Sequence, residues 1–140
     1  MSNQTTQTAV QLIMRFSKAF DVKLEQESKI PLSQVQFIAL EYIHNNGSIP
    51  MKALAEHLSI TPASTSTMVK KLETMGYITR TPDEYDGRVS RLSLSQQGTE
   101  IYEACYIEAG QIVEFFLNRL EEDEREQLVN ILQKMLQSED

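Results

Sequence analysis

From Ala9 to Glu27 the apolar residues Leu12, Ile13, Phe16, Phe20 and Leu24 recur at helical spacing and predict an amphipathic helix. Pro31 breaks that pattern. Ser33 then opens a second helix as its N-cap, with Gln36 three positions on as capping-box partner. Val35, Ile38, Ala39, Tyr42 and Ile43 form its expected buried stripe, and Asn45-Asn46-Gly47 ends it, Gly47 suiting a left-handed C-terminal position. A short helix from about Pro50 to Leu58 is expected to pack through Met51, Leu54, Ala55 and Leu58. Ser59-Ile60-Thr61 is a turn. Thr61 is a good N-cap and Pro62 sits at the first helical position, where a missing N–H costs nothing. The helix that follows runs to about Met75, with Met68, Val69 and Leu72 as its core face and Gly76 as its stop.

The periodicity then changes. Tyr77 to Thr81 and Arg91 to Ser95 are rich in strand formers, and Pro82-Asp83-Glu84-Tyr85-Asp86-Gly87 between them is turn chemistry. The two runs predict a hairpin with a long tip. In its second strand Leu92 and Leu94 point one way and Arg91 and Ser93 the other. Ser95 caps a long helix reaching about Leu117, and Asp123, with Glu126 three residues on, caps the last. The fold class is mainly α with a small β-hairpin, in one domain over residues 1–140 without repeats or linkers.

Composition changes this picture little. A chain of 140 residues is long enough for a real core. No apolar run approaches the roughly 20 residues of a membrane span, and Met1 to Thr8 carry no secretory pattern, so a cytoplasmic protein is expected. Charge matters more. The net charge is −7, but residues 92–140 hold eleven acidic and three basic groups, whereas residues 52–91 hold five and six. A local basic face can therefore meet phosphate while an acidic end stays clear of it.

Two segments carry candidate chemistry. The polar face of the Pro62–Met75 helix presents Ala63, Ser64, Ser66, Thr67, Lys70 and Lys71. Small hydroxyl residues near a positive helix N-terminus suit base edges or phosphates, and the lysines suit backbone phosphates. A solvated face of a core helix is the plainer alternative. The preceding short helix and tight turn favour the first, because helix-turn-helix geometry puts the second helix in the major groove. The hairpin carries Arg80, Arg88 and Arg91 around Asp86. An arginine on a glycine-flanked tip suits a narrow minor groove, and Asp86, two residues before Arg88, suits holding its guanidinium in one orientation. Read alone, the pair is an exposed surface ion pair worth about 0–1 kcal/mol.

Other residues invite plainer readings. Cys105 lies on an apolar stripe and reads as a small buried hydrophobe. His44 and His57 stand apart from any ligand cluster, so neither a metal nor a cofactor is expected. No nucleophile–base constellation or phosphate-binding glycine loop is visible, so no catalytic residue is assigned and the chain does not read as an enzyme.

The ordered segments resemble the multiple-antibiotic-resistance regulator (MarR) family of winged helix-turn-helix transcription factors over nearly the full length. The resemblance rests on D-x-R-x-x-x-L-x-L-S-x-x-G from Asp86 to Gly98, with Ser95 where Thr is usual, and on L-A-x-x-L-x-I-T-P from Leu54 to Pro62. It implies a homodimer with a winged helix-turn-helix part at about 33–95 and dimerisation helices at about 5–30 and 96–140. It also implies a palindromic double-stranded operator, recognition helices in successive major grooves, wing arginines in flanking minor grooves, and often repression relieved by a small ligand. By matched position Ser64, Ser66, Thr67 and Lys71 fall on recognition-helix contacts and Arg88 on the wing-tip arginine. Thr67 departs from the long Arg or Gln of many relatives. A small aromatic or lipophilic effector is implied in the family, and Arg15, Phe16 and Tyr42 are the candidates to line its site here.

The terminal helices argue for dimerisation on their own. Ile101, Cys105, Ile112, Val113, Phe116 and Leu120 stripe the long helix, and Leu128, Ile131, Leu132, Met135 and Leu136 the last. With Phe16 and Phe20 this exceeds what a small DNA-binding head can cover, and an isologous interface is economical. A monomeric bundle is the alternative. A winged-helix protein-interaction module without DNA binding is the second functional reading, prompted by the acidic balance and by Thr67.

Overall fold

Local caps set most element boundaries. The computed structural model describes residues 3–137 of the expected 1–140 span. Asn3 accepts from the Thr6 N–H and starts α1 (Gln4–Glu27) five residues before the predicted Ala9, because a cap can extend a helix into a polar run. Ser33 and Gln36 form the predicted capping box at the head of α2 (Gln34–Asn46). Gly47 follows at φ 70°, ψ −138°, a positive-φ conformation but not the left-handed helical one expected. Next come β1 (Ile49–Pro50), α3 (Met51–Leu58) and α4 (Pro62–Thr74). The hairpin β2 (Ile78–Pro82) and β3 (Ser90–Leu94) precedes α5 (Gln96–Leu117) and α6 (Glu122–Met135).

The backbone divides into two units. Residues 29–107 form one, and residues up to 28 together with those from 108 onward form the other. In the first, the sheet has three strands in the order β1-β3-β2, all antiparallel. Ile49 pairs with Leu92, and Ile78 with Leu94. The strand β1 corrects the sequence reading, which placed Pro50 in a helix. Two residues are too short for any periodicity, and their partner lies over forty positions away. The core of this unit joins Leu40, Ile43, Leu54, Val69, Leu72 and Leu92. Val35 is 44% exposed instead of lining the α2 stripe, while Leu40, outside that predicted stripe, is fully buried. The buried face of α2 is Ala39, Leu40 and Ile43, rotated from the expected one.

In the other unit Phe16 meets Phe116 edge-on at 5.0 Å between ring centroids, and Lys23 Nζ lies 3.8 Å from the centre of the Phe115 ring. Ile112 is buried there. The cap of α6 is Glu121 and not Asp123: the Glu124 side chain accepts from the Glu121 N–H at 2.8 Å. The run Glu121–Glu126 offers several cap-like pairs, and the helix starts at the earlier one. Asp123 lies in the first turn, where its charge still favours the helix dipole. Among the described residues no helix is long and apolar enough to cross a membrane.

Candidate nucleic-acid interface

The turn between α3 and α4 is set by Ser59, at φ 54° and ψ 41° the one non-glycine residue with positive φ among the described residues. This left-handed residue lets the Ile60 N–H reach back to the Ala55 carbonyl at 3.3 Å. Thr61 then caps α4 by accepting from the Ser64 N–H at 3.1 Å, and its hydroxyl donates to Ser64 Oγ at 2.9 Å. Pro62 occupies the first position. Thr65 is fully buried and donates to the Thr61 carbonyl at 2.9 Å. With Val69 and Leu72 it turns the opposite face of α4 outward.

At about 3.6 residues per turn, Ala63, Thr67, Lys70 and Thr74 run down the centre of that outward face. Ser64 and Lys71 lie along one flank, and Ser66 and Glu73 along the other. Thr67 donates its hydroxyl to the Ala63 carbonyl at 3.1 Å, and Thr74 to the Lys70 carbonyl at 2.9 Å. Neither hydroxyl proton is available to a ligand in this arrangement, which leaves an acceptor oxygen and a methyl. Lys70 and Lys71 are exposed and form no ion pair among the described residues. The Ser64–Lys71 flank opens onto a groove of about 430 Å³ whose far wall is the head of α2, through Ser33 and Gln36.

The wing is the loop between β2 and β3. Asp83 organises it: Oδ2 accepts the Tyr85 and Asp86 N–H groups at 2.9 and 3.0 Å, and Oδ1 accepts from Arg91 Nη1 at 3.2 Å. Arg91 also donates to Ser48 Oγ at 3.0 Å and to the Ser48 carbonyl at 2.6 Å. It therefore ties the wing to the segment before β1. Arg80 donates to Glu73 Oε1 of α4 at 3.1 Å. At the tip, Arg88 Nε and Nη2 donate to the two oxygens of Asp86 at 3.1 and 3.3 Å, and Asp86 Oδ1 also accepts the Arg88 N–H. The Arg88 side chain is 91% exposed. Of the three wing arginines, two are braced inside the fold and one is presented to solvent.

Two of the wing acids, Asp83 and Asp86, are thus structural. The Tyr85 and Asp86 N–H groups, and then Arg91, hold the Asp83 carboxyl below the usual carboxylate range. Asp86 is lowered likewise, first by the Arg88 guanidinium and then by the Arg88 N–H. A lowered pKa means the ionised form is favoured by folding, so this brace is at full strength at neutral pH. It weakens only as pH falls through the lowered value. Amide exchange should find the Tyr85 and Asp86 N–H groups protected through the ordinary carboxylate range, and exposed in Asp83→Ala at neutral pH. Equal protection in the variant would refute the brace.

The proposed ligand-lining residues lie in different units. Arg15 is exposed on α1. Phe16 joins Phe20, Val113, Phe116, Leu120 and Leu132 around an apolar groove of about 420 Å³. Tyr42 stacks on His57 at 4.0 Å. Cys105 is buried. Sequence reasoning saw Gln36 only as a cap, missed Ser48, and read Asp83 as turn chemistry without naming the N–H groups it accepts. An Asp two and three residues before exposed N–H groups was the available signal for the last.

Comparison with known proteins places this geometry. The sequence profile described as "MarR family" matches residues 32–90. The HTH-type transcriptional repressor MdtR of Bacillus subtilis is 28% identical over 123 residues, covering 88% of this chain and 79% of the relative. The structure of the YusO protein from Bacillus subtilis superposes with a TM-score of 0.76 at 27% identity, covering 99% of both chains. A cysteine-to-serine mutant of MarR from E. coli, solved with operator DNA, gives 0.77 at 25% identity, over 97% of this chain and 100% of that one. The chain is thus similar to the MarR family over residues 32–90 and to HTH-type transcriptional regulators over most of its length, and it has the winged helix-turn-helix fold of the DNA-bound relative.

Proposed function

We propose that this chain is a regulator that works as a homodimer, grips a palindromic operator and represses nearby genes. The observation that carries the DNA contact is the pairing of an outward α4 face, Ser64, Thr67, Lys70 and Lys71, with a braced wing whose Arg88 stands in solvent. Ser66 adds a hydroxyl on the second flank. Arg80 and Arg91 serve the interface by fixing the wing, and Asp86 by orienting Arg88. Similarity to HTH-type transcriptional regulators, one relative being solved with operator DNA, supports this reading over a module without DNA binding. The repressor sign follows the relative named a repressor. Release by a small aromatic or lipophilic effector is the family's habit and is proposed on that ground alone.

The dimer is supported by apolar surface in the terminal unit. Leu12, Ile13 and Phe16 of α1 and Ile131, Leu132 and Met135 of α6 are large hydrophobic side chains left exposed. Phe16 and Leu132 line one apolar groove, and exposed apolar surface of this kind marks an interface. A second copy is the economical occupant, because two recognition helices on a symmetric operator need a two-fold axis. The wild-type chain is expected to sediment at twice its 16.0 kDa mass. Leu132→Glu, which puts a charge on that face, should sediment as a monomer and lose operator binding by about 100-fold or more, with helix content retained. A variant that stayed dimeric, or a wild type that was monomeric at micromolar concentration, would overturn the assignment.

A further inference from the structure

We propose that the DNA-contact surface extends onto α2, where Gln36 donates a hydrogen bond from its side-chain amide to a backbone phosphate. The inference rests on the DNA-binding reading and adds to it a residue outside the helix-turn-helix and the wing.

Three observations meet at this position. First, Gln36 and Ser33 form the wall of the groove that faces Ser64, Thr67 and Lys71. A helix lying in the major groove has a phosphate strand on each side. The strand on the Lys71 flank must then run along this channel, between α4 and the head of α2. Second, the Gln36 side chain is held in one orientation. Its Oε1 accepts the Ser33 N–H at 2.8 Å, while the Gln36 N–H donates to Ser33 Oγ at 3.1 Å. With Oε1 committed to the cap, Nε2 projects from it, and its N–H groups meet no partner among the described residues. Third, Lys71 lines the same groove and is unpaired among the described residues, so the channel offers a cation and a fixed neutral donor to one anion path. A donor already locked by its own cap loses little freedom on binding. This also bears on Thr67. Its short side chain forgoes the reach of an Arg or Gln, and a donor on the facing wall supplies a contact the recognition helix lacks.

The substitution Gln36→Glu separates this role from helix capping. Glutamate keeps the acceptor that caps Ser33 and is as good a capping-box residue. It removes the donor. The expected result is an unchanged melting temperature and operator affinity lowered about tenfold or more, because the donor is lost and a carboxylate then faces the phosphate. Gln36→Ala is expected to weaken binding with an unchanged salt slope, since no cation is lost, whereas Lys71→Ala lowers the slope. Operators carrying a neutral methylphosphonate at single positions complete the test. One position per half-site should weaken the wild type but leave Gln36→Ala no weaker. Wild-type affinity in Gln36→Glu would overturn the proposal. So would losses from Gln36→Ala and every methylphosphonate that simply multiply. If the wild type binds no operator at all, the DNA reading fails, and that outcome is separate.

Discussion

Arg88→Ala is expected to lower operator affinity roughly 30-fold and to reduce the slope of log affinity against log salt by about two. The reasoning starts from exposure. Arg80 and Arg91 spend their guanidinium groups on Glu73, Asp83 and Ser48, so neither can reach far without breaking a brace. Among the described residues Arg88 is held only by Asp86, in a pair open to water. An exposed pair of this kind is weak, so exchanging Asp86 for a narrow, negative minor groove is favourable. Each arginine lost from a groove removes about 1 kcal/mol or more, and a symmetric dimer loses two. Because the wing is shaped by Asp83 and Arg91, the variant's wing should keep its structure. Fluorescence anisotropy across a salt series measures both quantities. An affinity within threefold of wild type, with the same slope, would remove Arg88 from the interface.

Gly98→Ala is expected to lower the melting temperature by roughly 10 °C, a loss of about 3 kcal/mol. Helix propensity alone predicts the reverse, since alanine exceeds glycine by about 0.8–1.0 kcal/mol inside a helix. Packing decides the sign. A methyl placed on Gly98 would collide with the Tyr77 carbonyl oxygen and stand 2.9 Å from its carbonyl carbon. Those are backbone atoms and cannot rotate away. The same carbonyl accepts the Ser95 N–H at 3.0 Å, while Ser95 Oγ bonds both the Gly76 carbonyl and the Gly98 N–H. The first turn of α5 is thus seated on the base of the wing, and a side chain at this position lifts it off. The glycine that closes the D-x-R-x-x-x-L-x-L-S-x-x-G pattern is there for close approach and not for an unusual φ. Calorimetry checks it, and a variant melting within about 2 °C of wild type would show that the junction can yield.

What could be read from the sequence was what lies close together in it. The Ser33–Gln36 box, the Thr61-Pro62 start, the Gly76 stop, the Ser95 cap and the Asp86–Arg88 pair all involve partners within three residues. Their chemistry is legible before folding. The features that escaped depend on registers between distant segments. Ile49 becomes a strand only because Leu92 lies beside it, Arg91 finds Ser48 across 43 residues, and Arg80 finds Glu73 across a helix end. The face of α2 was misjudged at Val35 and Leu40 because both candidate stripes are apolar, and only packing chooses between them. At α6 the run Glu121–Glu126 offered competing caps, which local pattern could not rank. For the proposed interface the consequence is specific: residue types pointed to a helix and a hairpin that the fold does form, while which arginines are braced inside it was decided by long-range pairing.

A two-fold symmetric and sequence-specific grip on DNA can be read out by selecting bound duplexes from a random pool with the purified protein at moderate salt. An inverted repeat should be enriched, with half-site centres about one helical turn apart and A·T-rich steps where the wings fall. A pool that stays unenriched after repeated rounds, or that converges on a single asymmetric half-site, would contradict it.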